Sequence, residues 1–306
     1  MTHRFLNITD GRNNMDSLSF NIVANRIDSL DLSPRANAMA HGILLGDKQY
    51  FTYCEKQEMR NAGMSHIVAV SGLHIGILYL VLFLALNPLR WFGLLRSHRV
   101  LVSALLWLYV IVIGCPVSAV RAALMLSLAS LSWILKRHTA GIRTLLTTAI
   151  IILLFDPHQL TDVGFLLSFL ATLGILMLSS VANRQDPVTA LLVVTLSAQL
   201  ATFPVVAYYF HTVPVLGWIQ GLLVIPLLSF LVYALLLYML FPGLSFLSLP
   251  IEWIIDWIFL VADVSSWLEQ WLLGGHLAFY PSWWEAILWE GAVLGLLFCL
   301  RHYQHS

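Results

Sequence analysis

Residues Ser65–Leu86 read SHIVAVSGLHIGILYLVLFLAL. These 22 residues contain no acid, no Lys and no Arg, which is long enough to cross a bilayer as one helix. Yet the first half carries His66, Ser71, Gly72, His74 and Gly76, where a plain lipid anchor would have Leu or Ile. Lipid cannot satisfy such polar groups, so the segment is expected to turn them toward other helices or a water-filled path.

The rest of the chain fits a membrane setting. Of its 306 residues 59% are hydrophobic and 10% charged, with a mean hydropathy of +0.82, beyond the range of a soluble domain. This predicts an all-α polytopic integral membrane protein of about seven to nine transmembrane helices with amphipathic helices at the surface. Zero net charge conceals an asymmetry: residues 1–143 hold 14 of the 16 Lys and Arg but only seven of the 16 acids. The three cysteines form no CxxC or Cys/His cluster, so neither a disulfide framework nor a metal site is expected. No apolar run precedes residue 64, so no signal peptide is expected.

Taken in order, residues 1–36 read as a polar tail and 37–63 as a lead-in with an amphipathic surface helix. A polytopic membrane domain follows at 64–301, then a short tail at 302–306. After the opening segment, spans are expected at about 100–115, 118–135, 142–155, 163–182, 188–210, 213–241 and 284–300. Cys115-Pro116 and Asp156-Pro157 mark the breaks, since the residue before Pro is pushed out of the α region. Thr161 or Asp162 is positioned to cap the span at 163–182. Gly217, Gly221 and Pro226 suggest that 213–241 is broken into a short re-entrant piece and a full span. Seven of the eleven tryptophans fall between Trp253 and Trp289, which favours a helix or helix pair partly riding the interface. Loop charge places Arg90, Arg96, Arg99, Lys136, Arg137, Arg143, Arg184 and Arg301 on one, cytoplasmic, side. The first 60 residues would then lie outside, although they carry seven basic residues themselves.

Several groups invite a chemical reading. On a helix Ser71 and His74 are neighbours, and His66 lies about 80° from His74. They suit a polar strip along a pore, or a Ser–His pair, although no nearby acid or oxyanion donor completes a hydrolase. The GxxxG spacing of Gly72 and Gly76 instead suits close helix packing, and spacing alone favours that reading. Arg121 stands inside the apolar run PVSAVRAALMLSL; it either snorkels to the surface near Pro116 or faces an internal path, where it would attract phosphate. Gln199, Pro204 and Pro226 are equally two-sided, because a proline in a spanning helix bends it and frees a carbonyl. There is no GxxxxGK[ST], HExxH or HxHxDH motif, so neither catalysis nor a cofactor is expected. No basic patch is large enough to hold duplex DNA, and no inverted repeat is evident.

The run GMSHIVAVSGLHIGIL resembles the signature of the ComEC/Rec2 competence family of bacterial DNA uptake. Further matches follow in that family's order: HGILLGD (41–47), VSAVRA (117–122), DPHQLTDVGFLLSFLATLGIL (156–176), LSAQLATFPVVAYYF (196–210) and VIPLL (224–228). The resemblance implies a channel for single-stranded DNA across the bacterial cytoplasmic membrane. Ser71, Gly72, His74, Arg121, Asp162, Ser168, Gln199 and Pro204 would form or shape the path. Membrane lipid, a DNA receptor, a translocase ATPase, a nuclease supplied in trans and further copies of the chain are its implied partners. Two motifs depart from the pattern, with Leu166 where a Gln is expected and Gly221 where an Asn is expected. Larger members carry an OB-like and a metallo-β-lactamase-like domain, and the chain is expected to lack both. A small-molecule or lipid-linked transporter, or a truncated remnant, is the alternative.

Overall fold

The computed structural model describes residues 14–61, 64, 71–88, 95–136, 141–182, 186–213, 217–273, 277, 278 and 280–303. Twelve α-helices account for most of these: α1 (Asn14–Asp28), α2 (Pro34–Leu45), α3 (Tyr53–Asn61), α4 (Gly72–Ala85), α5 (Leu95–Val112), α6 (Val117–Ile134), α7 (Gly141–Phe155), α8 (Val163–Ala182), α9 (Pro187–Phe210), α10 (Gly217–Leu240), α11 (Ser248–Leu273) and α12 (Trp283–Tyr303). One two-residue antiparallel pair, β1 (Thr212–Val213) with β2 (Leu277–Ala278), joins the approach to α10 with the approach to α12.

Local chemistry sets most of the boundaries. Between α5 and α6, Gly114 and Cys115 take positive φ values of 84° and 52°, which turn the chain ahead of Pro116. Asp156 stops α7 and caps the 3-10 turn Pro157–Thr161, and Asp162 then accepts the Phe165 N–H at 2.7 Å to start α8. Asp186 caps α9, with Pro187 in the first turn, where its missing N–H costs nothing. Gly46 closes α2 in the left-handed conformation.

The chain divides into two compact units. One takes in Met1–Thr52, His66–Ala123 and Leu231–Ile255. In it, α1 and α2 pack together and α4 pairs with α5. The Arg26 Nε donates to the Met239 carbonyl, and the Ser33 N–H to Glu252. His41 is fully buried, stacked on Tyr50 and 3.0 Å from Asp28. His98 bonds the Phe83 carbonyl at 3.0 Å, and Arg99 lies over the Phe83 ring. The other unit takes in Tyr53–Ser65, Leu124–Phe230 and Asp256–Ser306. Its centre is the antiparallel pair α8 and α9, against which α12 packs through Met177, Ala201 and Leu297.

Several expectations are corrected. Ser65–Leu86 is not one helix across its described part: Ser71 is extended, at φ −115° and ψ 168°, and α4 begins at Gly72. Part of the presumed polar tail is α1, whose Ala24 and Ile27 are buried against the rest of its unit. Residues 217–240 form one unbroken helix through Pro226, not a re-entrant piece and a span. The tryptophan-rich segment falls on two helices, with Trp253, Trp257, Trp267 and Trp271 on α11 and Trp283, Trp284 and Trp289 on α12, and its first part is a full-length helix: Ser245–Trp271 is long and apolar enough to cross a membrane. Its Trp253, Trp257, Trp267 and Trp271 point outward while Ile251, Ile255, Ile258 and Phe259 point inward.

Among the described residues four helical stretches have spanning length and hydropathy: Val117–Ile134, Val188–Phe210, Gln220–Leu240 and Ser245–Trp271. Gly72–Ala85, His98–Val112, Gly141–Phe155 and Val163–Ser179 are apolar but shorter. The 14 helical residues of α4 rise about 21 Å, against a hydrocarbon core of about 30 Å. The larger count of spans is therefore not established by helix length.

Candidate functional site: polar groups on apolar helices

His66 lies outside the described residues. The neighbouring Ser71 and His74 meet, though not as two turns of one helix. Ser71 is the N-cap of α4, and its backbone N–H donates to His74 Nδ1 at 2.9 Å, with Ser71 Oγ 3.1 Å from the same nitrogen. This is the reciprocal half of a capping box, with an imidazole where Glu or Gln is usual. A neutral His74 accepting at Nδ1 carries its proton on Nε2. The lone pair a Ser–His dyad would use is thus engaged by the backbone, so the pair behaves as a cap. His74 itself is 3% exposed.

The cap sits against a second motif. A Cβ placed on Gly72 would lie 3.8 Å from the Ala122 Cβ of α6, so SGLHIG and VSAVRA touch within one unit. Arg121, the residue before Ala122, is 5% exposed, which overturns the snorkelling reading. Its guanidinium and the positive end of the α4 dipole belong to the same unit. Gly76, by contrast, has nothing within 4 Å of its would-be Cβ, and Gly72 has room for a methyl group. The GxxxG spacing therefore does not mark a close helix crossing among the described residues.

The remaining motif residues belong to the other unit. Asp162 is the cap of α8. The Ser168 carbonyl accepts from the Thr172 hydroxyl at 2.8 Å. Pro204 is buried inside α9, which continues through it, and Pro226 lies within α10. Gln199 meets α10: a Cβ on Gly221 would lie 2.9 Å from the Thr195 methyl and 3.7 Å from Gln199 Nε2. At the position where an Asn was expected, any side chain would thus press on the Thr195 methyl of α9. Nearby, a buried bond of 2.6 Å runs from Gln220 Nε2 to Ser265 Oγ on α11.

Two residues that the sequence did not single out belong to this constellation. A Cβ on Gly174 would fall 2.5 Å from the Ser197 carbonyl oxygen and 2.7 Å from the Ala201 Cβ, so α8 and α9 touch backbone to backbone there. The signal available was a lone Gly inside the apolar helix ATLGIL. The second is Glu290, an acid within an apolar run of α12. Among the described residues no group of His, Cys, Asp and Glu is arranged to hold a metal ion.

Comparison with known proteins places these motifs in one family. The family model described as "Competence protein" matches residues 43–303. Among curated proteins, "ComE operon protein 3" of Bacillus subtilis (strain 168) is 29% identical over 201 residues, 65% of this chain and 26% of that protein. An uncharacterized protein of Aquifex aeolicus (strain VF5) is 33% identical over 189 residues, 62% of this chain and 42% of that protein. The chain thus spans less than half the length of either relative. No solved structure matches it.

Proposed function

This chain belongs to the competence-protein family, and from that premise we propose that it is the membrane core of a channel passing single-stranded DNA across the bacterial cytoplasmic membrane. The observation that carries the reading is the meeting of the Ser71–His74 cap with α6 beside the buried Arg121. A guanidinium placed beside the start of α4 adds positive charge where a passing anion would meet it, and phosphate suits its planar donors.

On this reading α4 to α12 all cross the membrane, the shorter helices by local thinning of the bilayer or through flanking segments. Gln199, Ser168 and Thr195 supply weak, spaced polar contacts. A strand that must keep moving needs such contacts, because rows of strong ones would trap it. The core does no chemistry on the strand; cutting and pulling fall to a nuclease and a translocase ATPase that work with it, and a surface receptor delivers the DNA.

Labelled transforming DNA supplied to a strain deleted for this gene tests the reading. Surface binding should persist and entry into the cytosol should stop; unchanged entry would discard the channel. Arg121→Gln, expressed in the deleted strain at the wild-type membrane level, should restore entry poorly, by roughly tenfold less if one phosphate contact of about 1.4 kcal/mol is lost.

A further inference from the structure

Glu290 stands at an unusual place in α12. Both carboxyl oxygens are sealed inside the protein, and neither has a hydrogen-bond partner among the described residues. The neighbouring Trp289 stacks on Phe203 of α9, with ring centroids 6.4 Å apart. One turn on, Val293 and Leu294 pack against the cluster of Met177, Ala201 and Leu297. Positions 290, 293, 294 and 297 share one helical face, so the carboxyl enters the same apolar layer.

The helices it meets offer it no counter-charge. α8 reads VGFLLSFLATLGILMLSSVA, without a titratable side chain, and the titratable groups of α9 are Tyr208 and Tyr209 near its C-terminal end. On α12 itself Glu285 is five residues away, and Cys299, Arg301, His302 and Tyr303 lie nine or more residues away. An ionised carboxylate buried without a partner is among the costliest arrangements in a protein, whereas the neutral acid is tolerated. In a membrane segment such a group marks ion or proton handling more often than packing.

We propose that Glu290 is a proton-binding site, its carboxyl neutral while α12 is seated on α8 and α9 and exchanging its proton with water when α12 loosens from them. The inference rests on the channel reading in one respect, that α12 is a membrane helix. Its ligand is the proton, and the motion that would expose it is the separation of the last helix from the α8–α9 pair.

Dicyclohexylcarbodiimide provides the test, because it partitions into apolar surroundings and reacts with protonated carboxyls. The acid's proton passes to a carbodiimide nitrogen and the carboxyl oxygen adds to the central carbon. The acyl group then migrates to nitrogen, leaving an N-acylurea that carries the whole mass of the reagent. In native membranes near neutral pH the Glu290 peptide should carry this mass, and labelling should fall several-fold at alkaline pH. A water-soluble carbodiimide with an added amine should modify Asp186, which is exposed, and leave Glu290 untouched. Glu290→Gln, which keeps the shape of the neutral acid, should lose the adduct. An unlabelled Glu290 alongside a labelled Asp186, or labelling that ignores pH, overturns the proposal, and neither result depends on a variant folding. Labelling is read without DNA: the site survives if deletion of the gene leaves DNA entry unchanged, and it falls alone if entry needs the gene but Glu290 stays unlabelled.

Discussion

At Gly174 even a methyl group would strike the Ser197 carbonyl, whereas at Gly76 it would meet nothing within 4 Å. The two substitutions should therefore differ in sign. Gly76→Ala gains helix propensity of up to about 1 kcal/mol, and Gly174→Ala forces α8 and α9 apart at a cost of about 1–3 kcal/mol. Thermal unfolding in detergent reads both, and a stabilised Gly174→Ala would contradict the backbone contact. His74 calls for a subtler exchange, because the imidazole also caps α4. His74→Ala removes the cap, worth about 1 kcal/mol, while His74→Gln keeps an acceptor that suits a capping box. If the ring serves the passing strand, His74→Gln should reach wild-type abundance and still pass less DNA. Normal passage by that variant would leave His74 a purely structural residue.

At the scale of the helix, Asp186 offers a measurable pH dependence. The Thr189 hydroxyl donates to it at 2.7 Å, and the N–H groups of Val188 and Thr189 follow at 3.2 and 3.1 Å. The Thr189 side-chain bond is the largest influence, then the Thr189 N–H, and together they hold the carboxyl below its ordinary range. The ionised form is favoured by folding, so this contribution is complete above the unfolded-state pKa and is lost as pH falls through the lowered folded-state value. The melting midpoint should drop in acid, and Asp186→Asn should flatten that drop over the same range. Superimposable profiles for the two proteins would remove Asp186 as a contributor. Caps of this kind also explain which boundaries were legible. The sequence placed α8 at 163–182 and ended α7 ahead of Asp156-Pro157 because Asp, Pro and Gly act locally. Helix α1 was illegible, since its burial comes from packing on other helices, α2 and α5 among them, and not from a pattern within its own residues. Pro226 misled for the reverse reason: in a bundle, neighbours can satisfy a freed carbonyl and the helix carries on.

At the scale of the molecule, the surface argues for a lipid setting: Phe155 is 88% exposed and Leu154 78%, and the outward stripe of α11 is tryptophan. Motif residues far apart along the chain meet within each unit, Gly72 with Ala122 in one and Gln199 with Gly221 in the other. Which motif residues meet was not written in their spacing, because helices far apart in sequence decide it. The Glu290 site was hidden for the same reason, an acid among tryptophans looking like part of an interfacial face until α8 and α9 were seen to flank it.

The seating of α12 on α8 and α9 also fixes an order of events. Those two helices are four residues apart in sequence and leave the ribosome together, but their third partner is made later, after α10 and α11. The β1–β2 pair, Thr212 with Ala278, can close only when both of these intervening helices have emerged. On the channel reading the α8–α9 pair waits in the bilayer with lipid on its vacant side, which two helices without a charged side chain tolerate. The Glu290 carboxyl joins this layer only with α12, so the nascent protein withholds that hazardous residue until both helices that flank it are already standing.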